Sequence, residues 1–140
     1  MRVLFDTDVV LDLVLDREPF VEAAAALFVL QERGRIDGCV SGITLVNVFY
    51  VTRKIKGSEG ARRAVEELLT TLSVCTLDRS VLESAQRLAF SDYEDAVQHA
   101  CAAAGQLDAI ITRNLGDYKN ATLPVFAPAD FLNHLTNQQK

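Results

Sequence analysis

The stretch RVLFDTDVVLDLVLD, residues 2 to 16, begins with an apolar run that ends at an acid, Asp6. Three more acids, Asp8, Asp12 and Asp16, follow at spacings of two and four residues. A short apolar run such as RVLF is typical of a strand that is buried on both faces of a parallel sheet. Sites in such sheets gather outside the carboxyl ends of the strands. The sequence therefore predicts that Asp6 belongs to a functional site.

The rest of the chain alternates short apolar runs with segments of helical periodicity. Four more strands are predicted: DGCVS (37–41), SVCTL (73–77), LDAIIT (107–112) and LPVFA (123–127). Helices are predicted over residues 20–34, 44–55, 58–72, 79–90, 91–104 and 128–135. This alternation predicts one α/β domain over residues 1–140, with a central, mostly parallel sheet of four or five strands between two helical layers.

Composition limits the function classes that fit the chain. Its 140 residues, 49% of them hydrophobic, suffice for one core. The net charge of −5 argues against a molecule that binds polyanions over its whole surface. Basic residues are concentrated locally at Arg53, Lys54, Lys56, Arg62 and Arg63, which could form one positive rim.

Cysteines and hydropathy indicate where the protein works. Cys39, Cys75 and Cys101 lie far apart in apolar surroundings, which is typical of reduced core thiols. The longest apolar run, AAAALFVL (residues 23–30), is too short to cross a bilayer. No leader pattern is recognisable, and we expect a cytoplasmic protein with no membrane association.

The acids come from distant parts of the chain. Besides Asp6, they are the group in SDYEDA (residues 91–96) and Asp117, which follows the fourth predicted strand. Carboxylates brought together raise one another's pKa, so such a cluster is costly unless a cation neutralises it. Mg²⁺ prefers a few carboxylate oxygens with several waters, and it can activate a water beside a phosphoryl group.

The acids of SDYEDA have separable interpretations. Ser91 and Glu94 show the spacing of a capping box, which gives Glu94 a structural role. Asp92 fits the positive end of a helix. Asp95 lies at the start of an apolar stretch and needs a partner, either a metal ion or Arg113. His99, one turn later, could orient such a site or be merely structural.

Three positions nearer the start of the chain remain open. Asp8 fits either a helix cap or a metal contact. Asp12 and Asp16 are expected to be exposed acids on a helix. Asn47 lies among apolar neighbours, so its amide either bridges backbone groups or faces the acidic site.

Four segments together resemble a PIN domain, the fold of many metal-dependent ribonucleases: LFDTDVVLDLVLDREPF, VSGITLVNVFYVTRK, DYEDAVQHACAAAGQLDAIITRNLGDY and LPVFAPADFL. The resemblance covers nearly the whole chain and extends to bacterial toxins of the VapC type. It implies a Mg²⁺- or Mn²⁺-dependent endoribonuclease in which Asp6, Asp95 and Asp117 hold the ion. Thr112 and Arg113 would support that site. An RNA substrate, a small antitoxin partner and a homodimer are also implied.

Two positions depart from the family pattern. Most members carry glutamate where this chain has Asn47, and the usual DTN is DTD here. An amide brings no charge and is the poorer metal ligand. We hypothesise that Asp8 restores the charge that Asn47 removes.

Two rival functions follow from the same residues. DTDVV also fits the nucleophile loop of haloacid dehalogenase-type phosphohydrolases, with Asp6 as nucleophile and Asp8 as general acid. That family needs a lysine near its third motif, however, and no lysine lies between Lys56 and Lys119. The second rival is a PIN domain weakened by Asn47 that serves as an RNA- or protein-binding module.

Overall fold

The computed structural model describes residues 1–138 and contains a five-stranded sheet in the order β3-β2-β1-β4-β5. All four strand pairings are parallel. The strands are β1 (Arg2–Phe5), β2 (Asp37–Ser41), β3 (Ser73–Cys75), β4 (Ala109–Ile111) and β5 (Val125–Phe126). The predicted α/β fold and its five strands are confirmed, although β3, β4 and β5 are shorter than predicted.

Six helices connect and cover the strands. They are α1 (Thr7–Val14), α2 (Val21–Glu32), α3 (Gly42–Thr71), α4 (Arg79–Gln86), α5 (Tyr93–Ala104) and α6 (Pro128–Gln138). A short 3₁₀ helix spans Leu115–Tyr118. The two helices predicted over residues 44–55 and 58–72 are both present within α3, and they are separated at Gly57, whose positive φ of 77° is not helical. Glycine adopts that conformation without the steric cost that other residues incur.

Two hydrophobic cores lie on opposite faces of the sheet. Val3 and Phe5 of β1 join residues of α1, α2, α3 and α6 on one face. Leu4, between them, joins residues of α4 and α5 on the other. Successive side chains of a strand point to opposite faces, so the run from Val3 to Phe5 is buried on both sides. This arrangement confirms the predicted three layers.

The state of the cysteines and the character of the helices can both be compared with the sequence predictions. Cys39, Cys75 and Cys101 are buried free thiols, as predicted. Among residues 1–138, no helix has both the length and the apolar character needed to cross a bilayer.

The strand order places the end of β1 at a crevice in the sheet. From β1 the chain builds β2 and β3 on one side, and it then returns to add β4 and β5 on the other. The Asp6 backbone N–H donates to the Ile111 carbonyl at 3.0 Å, which extends the β1–β4 pairing by one residue. Asp6 and Thr112 therefore leave the sheet side by side where the strand order reverses, the usual position of a ligand site in open α/β sheets.

Gly38 of β2 lies close to the side chains of Phe5 and Gln31, which gives a test of this packing. A Cβ atom at Gly38 would lie 2.6 Å from Cε2 of Phe5 and 3.0 Å from Oε1 of Gln31. Phe5 is fully buried and stacks on Phe28. We expect Gly38→Ala to lower the free energy of unfolding by about 1–3 kcal/mol, the usual cost of overpacking.

Urea denaturation would measure this change, with Gly42→Ala as the control. A Cβ at Gly42 would meet no atom within 4 Å. The control should therefore be neutral or slightly stabilising. Equal stability of the two variants would contradict the packing described here.

Candidate active site

Asp6 is a buried carboxylate at the junction of β1 and α1, with 5% of its surface exposed. Its Oδ1 accepts the Thr7 backbone N–H at 2.8 Å, so Asp6 is the N-cap of α1. Its Oδ2 accepts the Thr112 hydroxyl at 2.7 Å. Burial raises the pKa of Asp6, and these two hydrogen bonds oppose the rise. The side chain is thus held in one orientation by neutral donors.

Asp95, in the first turn of α5, shares this environment. Burial raises its pKa to about 7, with further contributions from the charges of Asp6, Asp92 and Asp117. The Tyr118 hydroxyl donates to Asp95 Oδ1 at 3.4 Å. Asp117 itself is exposed. The structure therefore brings the predicted acids Asp6 and Asp95 into one electrostatic neighbourhood, with Asp92 and Asp117 at its edge.

A network of neutral polar side chains surrounds Asp6. The amide nitrogen of Gln98, a fully buried residue, lies 2.8 Å from Thr44 Oγ1 and 3.2 Å from Thr7 Oγ1. The same nitrogen is 3.5 Å from Asp6 Oδ1, at the long limit of a hydrogen bond. Thr7 and Thr44 also bond to each other through their hydroxyls, at 2.9 Å. Sequence reasoning missed all three, although one signal was present: Gln98 is a polar residue inside the apolar stretch that follows Asp95.

The predicted capping box is wrong. Asp92, not Ser91, caps α5, because its Oδ1 accepts the Asp95 backbone N–H at 3.0 Å. Glu94 reaches into the site instead, where its Oε1 accepts the Asn47 amide at 2.9 Å and the Thr7 hydroxyl at 3.1 Å. Of the two interpretations of Asn47, the one in which its amide faces the acids is therefore correct. Spacing alone had assigned Glu94 to the helix end.

The expectation that Asp12 is exposed is also wrong, whereas Asp16 is exposed as predicted but lies in the turn after α1 and not on a helix. Asp12 is 1% exposed and accepts two hydrogen bonds from Arg113, at 2.7 Å from Nε and 3.1 Å from the terminal nitrogen. The guanidinium carbon of Arg113 also lies 3.8 Å from the centre of the Phe20 ring. Arg113 is thus not the partner of Asp95. It connects α1 to the segment that carries Thr112.

Asp8 has partners outside the polar network. Its Oδ2 accepts the Asn114 amide at 3.2 Å, and its Oδ1 lies 3.5 Å from Arg17. The cap of α1 is Asp6, so the capping interpretation of Asp8 is wrong. Its proposed compensation for Asn47 stays a prediction, and the nearby guanidinium weakens its physical basis.

His99 has a structural environment. It is 2% exposed, and its Nε2 accepts the Thr122 backbone N–H at 3.0 Å. Its ring packs against Phe90. Burial lowers the pKa of His99, which favours the neutral ring that accepts this hydrogen bond.

The donor set suits a hard divalent cation. It consists of carboxylate oxygens, and an ion that keeps several waters requires only one or two of them. Gln98 Oε1 is also a buried acceptor without a hydrogen-bond partner among residues 1–138. In the same part of the chain, no three His, Cys, Asp or Glu side chains form a ready-made metal site. The chemistry of the residues fits Mg²⁺ or Mn²⁺, whereas their arrangement is not a closed cage.

Comparison with known proteins identifies the family. A model of the PIN domain matches residues 2–116. The chain belongs to the PIN-domain family. This match favours the PIN interpretation of DTDVV over the phosphohydrolase loop that it also resembles. No curated protein matches the chain.

Solved structures share the PIN fold with this chain. DNA-bound VapBC from Salmonella typhimurium superposes with a TM-score of 0.72 at 19% identity, covering 91% of this chain and 98% of the other. A toxin–antitoxin complex from Klebsiella pneumoniae gives 0.68 at 24% identity, covering 90% and 97%. VapC20 of Mycobacterium tuberculosis, a sarcin–ricin loop cleaving toxin, gives 0.63 at 16% identity, covering 77% and 86%.

The buried pair of Asp12 and Arg113 predicts a large stability effect in this PIN domain. Asp12→Asn leaves the guanidinium without its counter-charge, and removing one member of a buried pair costs about 3 kcal/mol or more. We expect the free energy of unfolding to fall by about 3 kcal/mol. This is the lower end of the usual range, because Arg113 retains some solvent contact. Urea denaturation would measure it. Asp16→Asn is the matched control. If Asp12→Asn lowered the free energy of unfolding by no more than the roughly 0–1 kcal/mol that a surface ion pair contributes, burial of Asp12 would be contradicted.

The raised pKa of Asp95 predicts how stability depends on pH in the metal-free protein. The pKa of Asp95 is about 7 in the folded state and 3.8 in the unfolded state, so the folded state binds more protons between these two pH values. Stability contributed by protonated Asp95 is then lost as the pH rises from about 4 to 7. With EDTA present, the melting temperature should fall between pH 5 and pH 8. Asp95→Asn should flatten that fall, and parallel curves for wild type and variant would exclude this source.

Proposed function

We propose that this PIN domain is a Mg²⁺- or Mn²⁺-dependent endoribonuclease that hydrolyses RNA phosphodiester bonds and acts as the toxin of a toxin–antitoxin pair. The observation that carries the proposal is the convergence of Asp6 and Asp95 at the crevice of the sheet. The charges of Asp6, Asp92 and Asp117 oppose ionisation of Asp95, so the edge favours a bound cation. Membership of the PIN family supports the same chemistry.

Asp6, Asp95 and Asp117 are the residues proposed to hold the ion. When bound there, a divalent ion would activate a water and stabilise the charge that develops on the scissile phosphate. Thr112 and the Thr7 backbone fix both oxygens of Asp6, which spares the cost of orienting that carboxylate during the reaction. Asp92 ties the first turn of α5 and so holds the backbone of Asp95 in place.

The basic residues of α3 supply a path for RNA. Arg53 and Lys54 are exposed and follow Asn47 by about two helical turns. Arg53 lies over the exposed ring of Tyr50, with its guanidinium carbon 5.2 Å from the ring centre. An aromatic ring beside a guanidinium can stack a base while the cation attracts phosphate. These residues counter the negative charge of the rest of the molecule.

A partner protein belongs to the proposal. The Salmonella typhimurium structure is a DNA-bound VapBC, and the one from Klebsiella pneumoniae is a toxin–antitoxin complex. These folds support a small antitoxin as the partner of this chain. We also propose a homodimer, for which exposed apolar residues such as Val46 and Val29 are available.

RNA cleavage tests the function directly. Purified protein is incubated with structured and unstructured RNAs and with Mg²⁺ or Mn²⁺. We expect endonucleolytic cleavage that EDTA abolishes and that Asp6→Asn or Asp95→Asn reduces by at least about 100-fold, because each substitution removes a charge that holds the ion.

The control for this test is Asp16→Asn, which removes one negative charge from an exposed site. Asp16 has a left-handed φ of 56°, a conformation that asparagine tolerates well. Its activity should equal that of the wild type. Intact RNA at high protein concentration would instead favour the non-catalytic RNA- or protein-binding module.

A further inference from the structure

The first turns of α5 aim three side chains at the same crevice. Asp95 is one of them, and Glu94 precedes it directly. Gln98 follows Glu94 by four residues and so lies on the same face of the helix. Both Glu94 and Gln98 bond to the Thr7 hydroxyl. The backbone N–H of Thr7 donates to Asp6 Oδ1. A single residue therefore links the carboxylates of Glu94 and Asp6.

The two oxygens of Glu94 are used unequally. Oε1 accepts both available donors, the Asn47 amide at 2.9 Å and the Thr7 hydroxyl at 3.1 Å. Within residues 1–138, no hydrogen bond or ion pair involves Oε2. Donors on one oxygen fix the plane of a carboxylate and leave the other oxygen for a further ligand.

Among residues 1–138, no basic residue forms an ion pair with the Glu94 carboxylate. The ion pairs of the described residues involve Asp37, Asp8, Asp12 and Glu83, and none involves Glu94. Gln98, whose amide nitrogen contacts the same Thr7 hydroxyl, has a buried oxygen that finds no hydrogen-bond donor among residues 1–138. A half-buried acid without a counter-charge, in the same hydrogen-bond network as a residue with an unpartnered buried acceptor, is an arrangement that a bound cation and its waters would satisfy.

We propose that Glu94 supplies a further carboxylate to the divalent-cation site and that Asn47 orients it through the hydrogen bond to Oε1. This inference rests on the proposed metal-dependent function. In it, the negative charge that Asn47 of α3 lacks is supplied by Glu94 of α5. Asn47 is a positioning residue in this account, and the inference assigns the charge to Glu94 rather than to Asp8, which pairs with Arg17.

The test measures cation binding rather than cleavage. Mn²⁺ is titrated into the purified full-length protein, and free Mn²⁺ is followed by electron paramagnetic resonance. We expect Glu94→Gln to weaken Mn²⁺ binding by at least about 10-fold and Asn47→Ala to weaken it less, because the latter retains the carboxylate. Glu66→Gln, an exposed position on α3, is the control with an equal change of charge and should bind like the wild type.

A double variant that exchanges the side-chain groups of residues 47 and 94 distinguishes an effect of charge on Mn²⁺ binding from an effect on folding. Asn47→Asp combined with Glu94→Gln exchanges amide and carboxylate while it preserves the net charge and the capacity for the hydrogen bond. We expect this double variant to bind Mn²⁺ more tightly than Glu94→Gln alone, with melting temperatures within a few degrees of the wild type.

Three results would overturn the inference. Binding by Glu94→Gln within about twofold of wild type, while Asp6→Asn loses binding, would remove Glu94 from the site and leave the proposed function intact. A loss in Glu94→Gln that accompanies a large fall in melting temperature and is not recovered by the double variant would make Glu94 structural. Absence of Mn²⁺ binding by the wild type would overturn this inference together with the metal dependence.

Discussion

The burial of one carboxylate, Asp6, constrains the rest of the site. It leaves β1 at the point where the strand order reverses, and its backbone N–H still pairs with β4. Its side chain then caps α1 and accepts the Thr112 hydroxyl. One residue thus joins two neighbouring strands and the first helix. A buried carboxylate without a cation partner is tolerated only when its oxygens accept hydrogen bonds. The positions of Thr7 and Thr112 are therefore constrained by the hydrogen bonds that they donate to Asp6.

Much of the fold could be predicted because its signals are local. The apolar runs of β1 and β2 and the helical periodicity of α2 and α4 depend on residues near in sequence. The break at Gly57 was also marked, since the periodic segments were predicted to stop on either side of it. What local patterns could not give was the shortness of β4 and β5, because only pairing with neighbouring strands decides where a strand ends.

The site was harder to predict because its contacts are between residues distant in sequence. Asp12 has the spacing of an exposed helical acid, and only the position of Arg113, far along the chain, explains its burial. Glu94 fits a capping box equally well on spacing. The choice between Ser91 and Asp92 as the cap depends on the backbone at the start of α5, where Asp92 is extended and accepts the N–H of Asp95. Local patterns are ambiguous wherever two short polar residues are adjacent.

The two buried aspartates at the start of the chain show how charge is distributed. Asp12 receives the full positive charge of Arg113. Within residues 1–138, Asp6 receives only neutral donors, and Glu94 and Asp95 likewise bond to amide, hydroxyl and phenol groups. Neutral donors orient a carboxylate without cancelling its charge. The Arg113 guanidinium therefore pairs with Asp12, the acid that connects α1 to the loop after β4, and the crevice retains the negative potential that the proposed cation requires.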